Sequence, residues 1–203
     1  MSANMTDLSA VRRPVAQAQG LPNAHYIDPA VFEEEKKAVL FSSWSGLAVT
    51  ADVPEVGDAK PITFLGMPLL LVRDKNNTVR VFQNICRHRG MILVEEARKI
   101  EGAIRCPYHS WCYSTEGRLV STPHVGGPGQ NTHESIDRDL LGLIEVRSYI
   151  WRDVVWINID GGAATADLSG GGGNDTLAGD DGDDQLARLR AEQQVQELEM
   201  VRE

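Results

Sequence analysis

The spacing of hydrophobic residues changes near Trp44 and divides the first 160 residues into a helical part and a strand-rich part. In the helical part, Asp28-Pro29 is a typical helix start, because an Asp side chain caps free backbone N–H groups and Pro suits the first helical position. We predict one helix from Pro29 to about Ser42, with an apolar face packed on a core. That face is formed by Val31, Phe32, Ala38, Val39 and Phe41.

Beyond Trp44 the chain is a series of short apolar segments, many of them with β-branched residues in alternation. We place turns at Gly66-Met67-Pro68, Asn76-Asn77 and Arg152-Asp153, and we leave residues 121–140 irregular. Short strands at such close spacing predict a mainly β, antiparallel domain that follows the helix. The predicted strands are 44–50, 61–65, 69–73, 78–82, 103–105, 111–113, 118–120, 143–151 and 154–159.

Composition divides the chain into four segments. Residues 1–22 are polar and predict a flexible arm, and residues 23–160 predict the β domain with its N-terminal helix. Residues 161–185 are rich in Gly and Asp, which is typical of a linker. Residues 186–203 carry apolar residues at helical spacing and predict a helical tail.

Charge is concentrated in the tail. The formal net charge is −9, and residues 161–203 contribute −7 of it, from three Arg against six Asp and four Glu. A near-neutral domain with an acidic tail is not typical of nucleic-acid binding. No apolar run approaches the roughly 18 residues of a membrane span, no secretory signal follows Arg12 and Arg13, and three Cys make no disulfide framework. We expect a cytoplasmic protein that binds neither nucleic acid nor membrane.

The Gly- and Asp-rich segment carries a second pattern. Residues 170–178 fit the calcium-binding nonapeptide G-G-x-G-x-D-x-U-x, and residues 179–187 fit it again with Asp180 in place of the second Gly. The pattern resembles RTX repeats, with Asp175 and Asp184 as candidate calcium ligands. Two repeats are too few to bury a row of apolar side chains between turns. We therefore prefer the linker interpretation and keep Ca²⁺ as the alternative.

The candidate chemistry lies in two short loops of the β part. Cys86-x-His88 is followed, after seventeen residues, by Cys106-x-x-His109. Thiolates prefer zinc or iron–sulfur centres, and imidazole accepts either. Cys-x-His does not easily place both side chains on one metal ion, but it can present them to two adjacent irons. Mixed pairs therefore indicate a Rieske [2Fe–2S] cluster, in which two Cys hold one iron and two His hold the other.

A zinc site is the structural alternative for these four residues. Zinc sites of the Cys₂His₂ type usually pair like ligands, as Cys-x-x-Cys followed by His-x-x-x-His. Here each loop holds one Cys and one His, which favours the iron–sulfur interpretation. The third Cys, Cys112, follows the second loop by strand alternation, and we expect it to be a small buried core residue.

These motifs resemble a known family. Cys86-x-His88-Arg89-Gly90 with Cys106-Pro107-Tyr108-His109-x-Trp111 is similar to the Rieske domain of ring-hydroxylating oxygenase α subunits, over about residues 22–160. The resemblance implies that Cys86 and Cys106 ligate the inner iron and that His88 and His109 ligate the outer iron.

Sequence differences within the resemblance indicate the subtype. Respiratory and photosynthetic Rieske proteins carry a disulfide between their ligand loops, but Met91 and Tyr108 occupy those positions here. They also carry a Ser that donates to a cluster sulfur, where this chain has Trp111. Fewer hydrogen bonds to sulfur stabilise the reduced cluster less, so we predict a midpoint potential of about −150 mV, at the low end of the Rieske range.

Oxygenase α subunits also hold a mononuclear iron on two His and one carboxylate in a second domain. No His follows His133 in this sequence, and we do not expect His124, His133 and Asp137 to form that triad, because a Gly-rich segment separates them. We therefore expect an oxidoreductase component that carries electrons without turning over substrate alone.

The resemblance implies electron transfer as the N-terminal portion of an oxygenase α subunit. A flavin or ferredoxin reductase would be the donor, and a mononuclear-iron domain or subunit would be the acceptor, in a family compatible with homo-oligomers. A stand-alone Rieske ferredoxin is the alternative. The helix and the long loop at 121–140 favour the α subunit.

Overall fold

The computed structural model describes residues 8–161, and its first elements are helical. Helix α1 spans Ala24–Ile27 and helix α2 spans Pro29–Glu35. The carboxylate of Asp28 accepts a hydrogen bond from the N–H of Ala30 at 2.9 Å, so the predicted helix start is confirmed. A π-helical turn, Lys36–Leu40, follows α2. The chain is therefore helical from Pro29 to Leu40, close to the predicted end near Ser42, but its second half is π-helical. The predicted packed apolar face is wrong in part, because Phe32 and Val39 are exposed.

The first sheet joins the two ends of the domain. It consists of β1, Ser45–Val49, the last strand β10, Val154–Asn158, and β9, Arg147–Trp151, in the antiparallel order β1-β10-β9. The turn between β9 and β10 is at Arg152-Asp153, as predicted, and both residues have positive φ, 49° and 64°. Such a two-residue turn has the twist that an antiparallel hairpin needs.

The second sheet is the centre of the fold. It contains β2, Asp58–Phe64, β3, Met67–Arg73, β4, Val79–Gln83, and β5, Arg98–Lys99, in the order β4-β3-β2-β5. The turn between β2 and β3 is Leu65-Gly66, with φ of 51° and 92°. The predicted turn at 66–68 is therefore wrong in register, because Met67 and Pro68 already pair within the hairpin.

The third sheet is small and contains β6, Ile104–Arg105, β7, Cys112–Tyr113, and β8, Leu119–Ser121. Alternate residues of β3 face opposite sides of the second sheet, as strand geometry requires. Leu70 and Val72 pack in the core that also contains Cys86 and Cys106. Leu69 and Leu71 pack in the core beneath the first sheet.

The predicted strand over 143–151 is wrong in its first half. The backbone C=O of Ile144 accepts from the N–H of Gln83 at 2.8 Å, and the N–H of Val146 donates to Val81 at 2.8 Å. This segment therefore runs along β4 before the chain enters β9 at Arg147.

Some sequence predictions lie outside the described residues. These are the linker or calcium repeats beyond Gly161 and the helix over 186–203. Within residues 8–161, no helix has the length and apolar character needed to cross a membrane.

Candidate iron–sulfur site

The first ligand loop, residues 86–91, is closed by two backbone hydrogen bonds. The N–H of Cys86 donates to the C=O of Met91 at 2.8 Å, and the N–H of Gly90 donates to the C=O of Cys86 at 3.0 Å. Gly90 has φ of 68°, a left-handed conformation that Gly adopts without steric cost. The loop begins three residues after β4 ends at Gln83.

The second ligand loop, residues 106–111, has the same two bonds at the same offsets. The N–H of Cys106 donates to the C=O of Trp111 at 2.8 Å, and the N–H of Ser110 donates to the C=O of Cys106 at 3.1 Å. Ser110 is left-handed too, with φ of 58°. The two loops are therefore local structural repeats, and each presents its Cys from an equivalent position.

The structure brings the four predicted ligand residues together as two pairs, one of thiols and one of imidazoles. Cys86 and Cys106 are each only 2% exposed, and burial and then the nearby Cys106 raise the pKa of the Cys86 thiol. The rings of His88 and His109 have centroids 4.7 Å apart. The Nδ1 atom of each ring is buried and has no hydrogen-bond partner. Buried polar atoms are normally paired, so these two nitrogens are placed as ligand atoms would be.

The donor set fits a [2Fe–2S] cluster. Two thiols and two imidazoles supply the ligand types of the inner and outer iron, respectively. Within residues 8–161, no three His, Cys, Asp or Glu side chains are grouped around a single ion position. The thiol pair would hold one iron of the cluster and the imidazole pair the other.

Burial sets the protonation of the site before a metal binds. Burial raises the pKa of the Cys86 thiol, even though the hydroxyl of Tyr113 lowers it. The pKa of His88 is lowered, first by burial and then by the nearby His109 and Arg89. His88 therefore favours its neutral form, which is the form that binds metal through nitrogen.

Tyr113 contacts the site, and sequence reasoning missed it. Its side chain is fully buried, and its hydroxyl lies 3.2 Å from Sγ of Cys86. The same hydroxyl accepts a hydrogen bond from the N–H of Arg87 at 3.0 Å. The sequence could have indicated it, because strand alternation places Tyr113 on the same face as Trp111, and a buried Tyr needs a hydrogen-bond partner for its hydroxyl.

Aromatic rings cover both histidines. The ring of Trp111, itself 5% exposed, stacks on His88 with centroids 4.6 Å apart and planes 7° apart. Tyr108 lies over His109 with a centroid distance of 3.7 Å. Trp111 is buried and Tyr108 is 59% exposed, so the histidine pair has a sheltered side and a solvent side.

Asn84 anchors the chain after the first loop, and it too was missed from the sequence. Its amide nitrogen donates to the C=O of Val94 at 2.7 Å, and its amide oxygen accepts from the N–H of Val94 at 3.0 Å. Asn84 and Val94 are both buried. The side chain thereby replaces a neighbouring strand and fixes residues 84–94 as a closed unit.

The other residues considered from the sequence have local roles. Cys112 is buried, and its Sγ lies 3.1 Å from the C=O of Ser110. The Nδ1 of His133 contacts the Ser135 hydroxyl at 2.6 Å, and the Asp137 carboxylate accepts from two nearby backbone N–H groups. His124 is exposed.

Comparison with known proteins identifies the class. A family model described as "Rieske [2Fe-2S] domain" matches residues 43–146, just over half of the chain. The chain therefore belongs to the Rieske [2Fe–2S] domain family, and its cofactor is a [2Fe–2S] cluster. The zinc interpretation is set aside on this evidence.

Relatives of the chain are oxygenase subunits. The chain is 33% identical over 152 residues to the 2-aminobenzenesulfonate 2,3-dioxygenase subunit alpha of Alcaligenes sp, covering 74% of this chain and 38% of the relative. It is 29% identical over 151 residues to the carnitine monooxygenase oxygenase subunit of Escherichia coli (strain K12), covering 74% and 39%. The chain thus spans well under half the length of these relatives.

Solved structures show the same similarity in three dimensions. The quaternary ammonium Rieske monooxygenase CntA in complex with gamma-butyrobetaine has a TM-score of 0.64 and 28% identity, covering 71% of this chain and 40% of the other. Naphthalene 1,2-dioxygenase with bound indole has a TM-score of 0.56 and 28% identity, covering 63% and 28%. The predicted antiparallel Rieske fold is confirmed.

Proposed function

We propose that Cys86, His88, Cys106 and His109 hold the [2Fe–2S] cluster of this chain, with the cysteines on the inner iron and the histidines on the outer iron. The observation that supports this assignment most is the unpaired, buried Nδ1 of both histidines beside two buried thiols. The equivalent hydrogen bonds of the two ligand loops add to it, because they present the two pairs in the same way.

We further propose that the chain is the electron-transfer portion of a Rieske oxygenase α subunit. Electrons from a flavin or ferredoxin reductase would enter the cluster and leave for a mononuclear iron in another domain or a neighbouring subunit of a homo-oligomer. The oxygenase relatives support this proposal over a stand-alone ferredoxin. A reducing cytoplasm, in which the free thiols of the site are kept available, is the proposed location.

The chain's own residues would orient and shelter the cofactor. Trp111 and Tyr108 fix the planes of the two imidazoles, and the apolar core that contains Cys86 and Cys106 excludes water from the cysteines. A [2Fe–2S] cluster supplies one-electron chemistry when it is bound. The exposed edge of the histidine pair beside Tyr108 is the side on which an acceptor would approach.

Iron and acid-labile sulfide analysis tests the ligand assignment. We expect two irons and two sulfides per chain in the purified protein and in the exposed-loop control His124→Ala. We expect His109→Ala and Cys106→Ala to lose the cluster and its EPR signal after dithionite reduction. A His109→Ala protein that keeps its iron and an unchanged EPR spectrum would refute the assignment.

A further inference from the structure

A pocket of about 400 Å³ lies on the cysteine side of the second ligand loop. We call it the basic pocket and define it by six of its lining residues, Arg98, Lys99, Glu101, Arg105, Cys106 and Ser110. Its lining includes the buried ligand Cys106 but neither histidine. The pocket therefore meets the second ligand loop at Cys106, Pro107 and Ser110 and not at the histidine rings.

Positive charge at this pocket exceeds negative charge. Three cationic side chains line it against the one carboxylate of Glu101. Lys99 is paired with Glu55 at 2.6 Å, and Arg98 donates only to the backbone C=O of Leu93 at 3.3 Å. The side chain of Arg105 is exposed and forms no hydrogen bond or ion pair within residues 8–161. Two guanidinium groups are thus left without a carboxylate, in a chain whose net charge is −9.

Planar guanidinium groups recognise carboxylates through paired hydrogen bonds, and opposite charge accelerates encounter between proteins. We infer that the basic pocket is the docking surface for the acidic face of a protein electron donor, with carboxylate side chains seated between Arg98 and Arg105. This inference rests on the proposed electron-transfer function. One electron leaves the donor, which is oxidised, and reduces the cluster beside Cys106, and no covalent bond forms or breaks.

Two faces of the site then have two tasks. An acidic donor would approach through the basic pocket to Cys106, whose backbone the loop holds in place. The acceptor would approach the histidine edge, where Tyr108 is exposed. Separate faces allow the donor to remain bound while the acceptor side stays open.

The experiment compares reduction by two donors of opposite charge in stopped-flow mixing. An acidic plant-type ferredoxin is the protein probe, because its potential lies below the Rieske range and reduction is downhill. Reduced methyl viologen, a small cation, is the control donor. The variants are Arg98→Glu and Arg105→Glu, and the matched control is Arg152→Glu, an exposed Arg at the β9–β10 turn with the same charge change.

At an ionic strength of about 0.01 M, where charges act over about 30 Å, we expect Arg98→Glu and Arg105→Glu to slow ferredoxin at least about fivefold. The difference should fall below about twofold at 1 M salt, where the screening length is about 3 Å. Arg152→Glu should stay close to wild type, and reduction by methyl viologen should not slow in any variant.

The two possible failures are distinct. Wild-type protein that contains no reducible cluster, by EPR after dithionite treatment, would contradict the proposed function. Wild-type protein that both donors reduce, with a ferredoxin rate that Arg98→Glu and salt leave unchanged, would overturn the docking inference alone. If Arg105→Glu loses its cluster because it adjoins Cys106, Arg98→Glu, which adjoins no ligand, still decides the result.

Discussion

The hydroxyl of Tyr113 lies 3.2 Å from Sγ of Cys86 and accepts a hydrogen bond from the N–H of Arg87 at 3.0 Å. The N–H of Arg87 occupies one lone pair of the hydroxyl oxygen, and a ligating thiolate has no hydrogen to give, so with Cys86 as a ligand the hydroxyl would donate to the sulfur. The pKa of Tyr113 is raised well above its ordinary value, by burial first and by Cys86 next, so the phenol remains protonated. The sulfur proposed as a ligand thus faces a fixed donor.

Removing this donor should lower the midpoint potential. Hydrogen bonds to cluster sulfurs favour the reduced, more negative state. If the hydrogen bond from Tyr113 is stronger by about 1 kcal/mol in the reduced cluster than in the oxidised cluster, Tyr113→Phe should lower the one-electron potential by about 40 mV. Redox titration monitored by EPR measures this. Tyr108→Phe is the control, because it keeps the ring over His109, and its potential should match wild type. An unchanged potential in Tyr113→Phe would contradict the proposed donor role.

The two left-handed loop positions should respond in opposite ways to substitution. Gly90→Ala puts a Cβ into open space, so its cost is conformational, about 1 kcal/mol. Ser110→Gly removes a similar strain that the second loop already carries, and we expect it to be neutral or stabilising. Thermal unfolding of both variants at matched cluster content checks this, and destabilisation by Ser110→Gly would count against the equivalence of the loops.

Asp74 is the buried charge that stabilises the β3–β4 turn. Its carboxylate is fully buried and accepts from Arg80 and from the N–H groups of Asn76 and Thr78, each at 2.8 Å. Asp74→Asn should cost about 3 kcal/mol in the free energy of unfolding, because one partner of a buried pair is lost. Glu145→Gln is the matched control, since the half-exposed Glu145 bonds the same Arg80, and should cost under about 1 kcal/mol.

The cost of Asp74→Asn should depend on pH. Burial alone would raise the pKa of Asp74, but the bonds from Arg80 and the backbone outweigh it and hold the pKa below its ordinary value. The folded state therefore binds the proton less readily than the unfolded state does. The contribution of the Asp74 carboxylate to the free energy of unfolding is complete above about pH 3.9, the ordinary pKa of Asp. It disappears as the pH falls through the lowered pKa of Asp74 in the folded state. In urea unfolding, the difference in free energy of unfolding between wild type and Asp74→Asn should be smaller at pH 3 than at pH 7. An equal difference at both pH values would refute the charge-based explanation.

Asn84→Ala should loosen the first ligand loop. It leaves both backbone groups of Val94 buried and without their side-chain partner, at about 2–3 kcal/mol. We expect faster loss of iron to a chelator than in wild type or in the exposed control Asn76→Ala. Equal rates of iron loss in Asn84→Ala and wild type would show that the hydrogen bonds between Asn84 and Val94 do not hold the loop.

The ligand motifs were predictable from the sequence because their chemistry is local. Each loop holds its Cys and His within four residues, and the loop bonds join residues at most five apart. The turn at Arg152-Asp153 was predictable for the same reason. Tyr113 and Asn84 were not identified, because their partners Cys86 and Val94 lie 27 and 10 residues away.

Errors in the strands have a similar origin. The sequence does not reveal that residues 143–146 pair with β4, because this partner is about 60 residues distant and no turn residue separates 143–146 from β9. Strand β5, Arg98–Lys99, has two exposed cationic side chains and no apolar alternation, so only its pairing with β2 defines it. The turn at Leu65-Gly66 was shifted because Pro68 is an ordinary turn residue, although here it lies within β3.

The most direct test of the central claim is pulsed EPR of the dithionite-reduced protein, which detects nitrogen nuclei coupled to the cluster spin. We predict couplings from two histidine nitrogens, since the buried Nδ1 atoms of His88 and His109 are the proposed ligands of the outer iron. We also expect a midpoint potential of about −150 mV in the same sample. A reduced cluster without histidine nitrogen coupling, or with a potential above zero, would contradict the account.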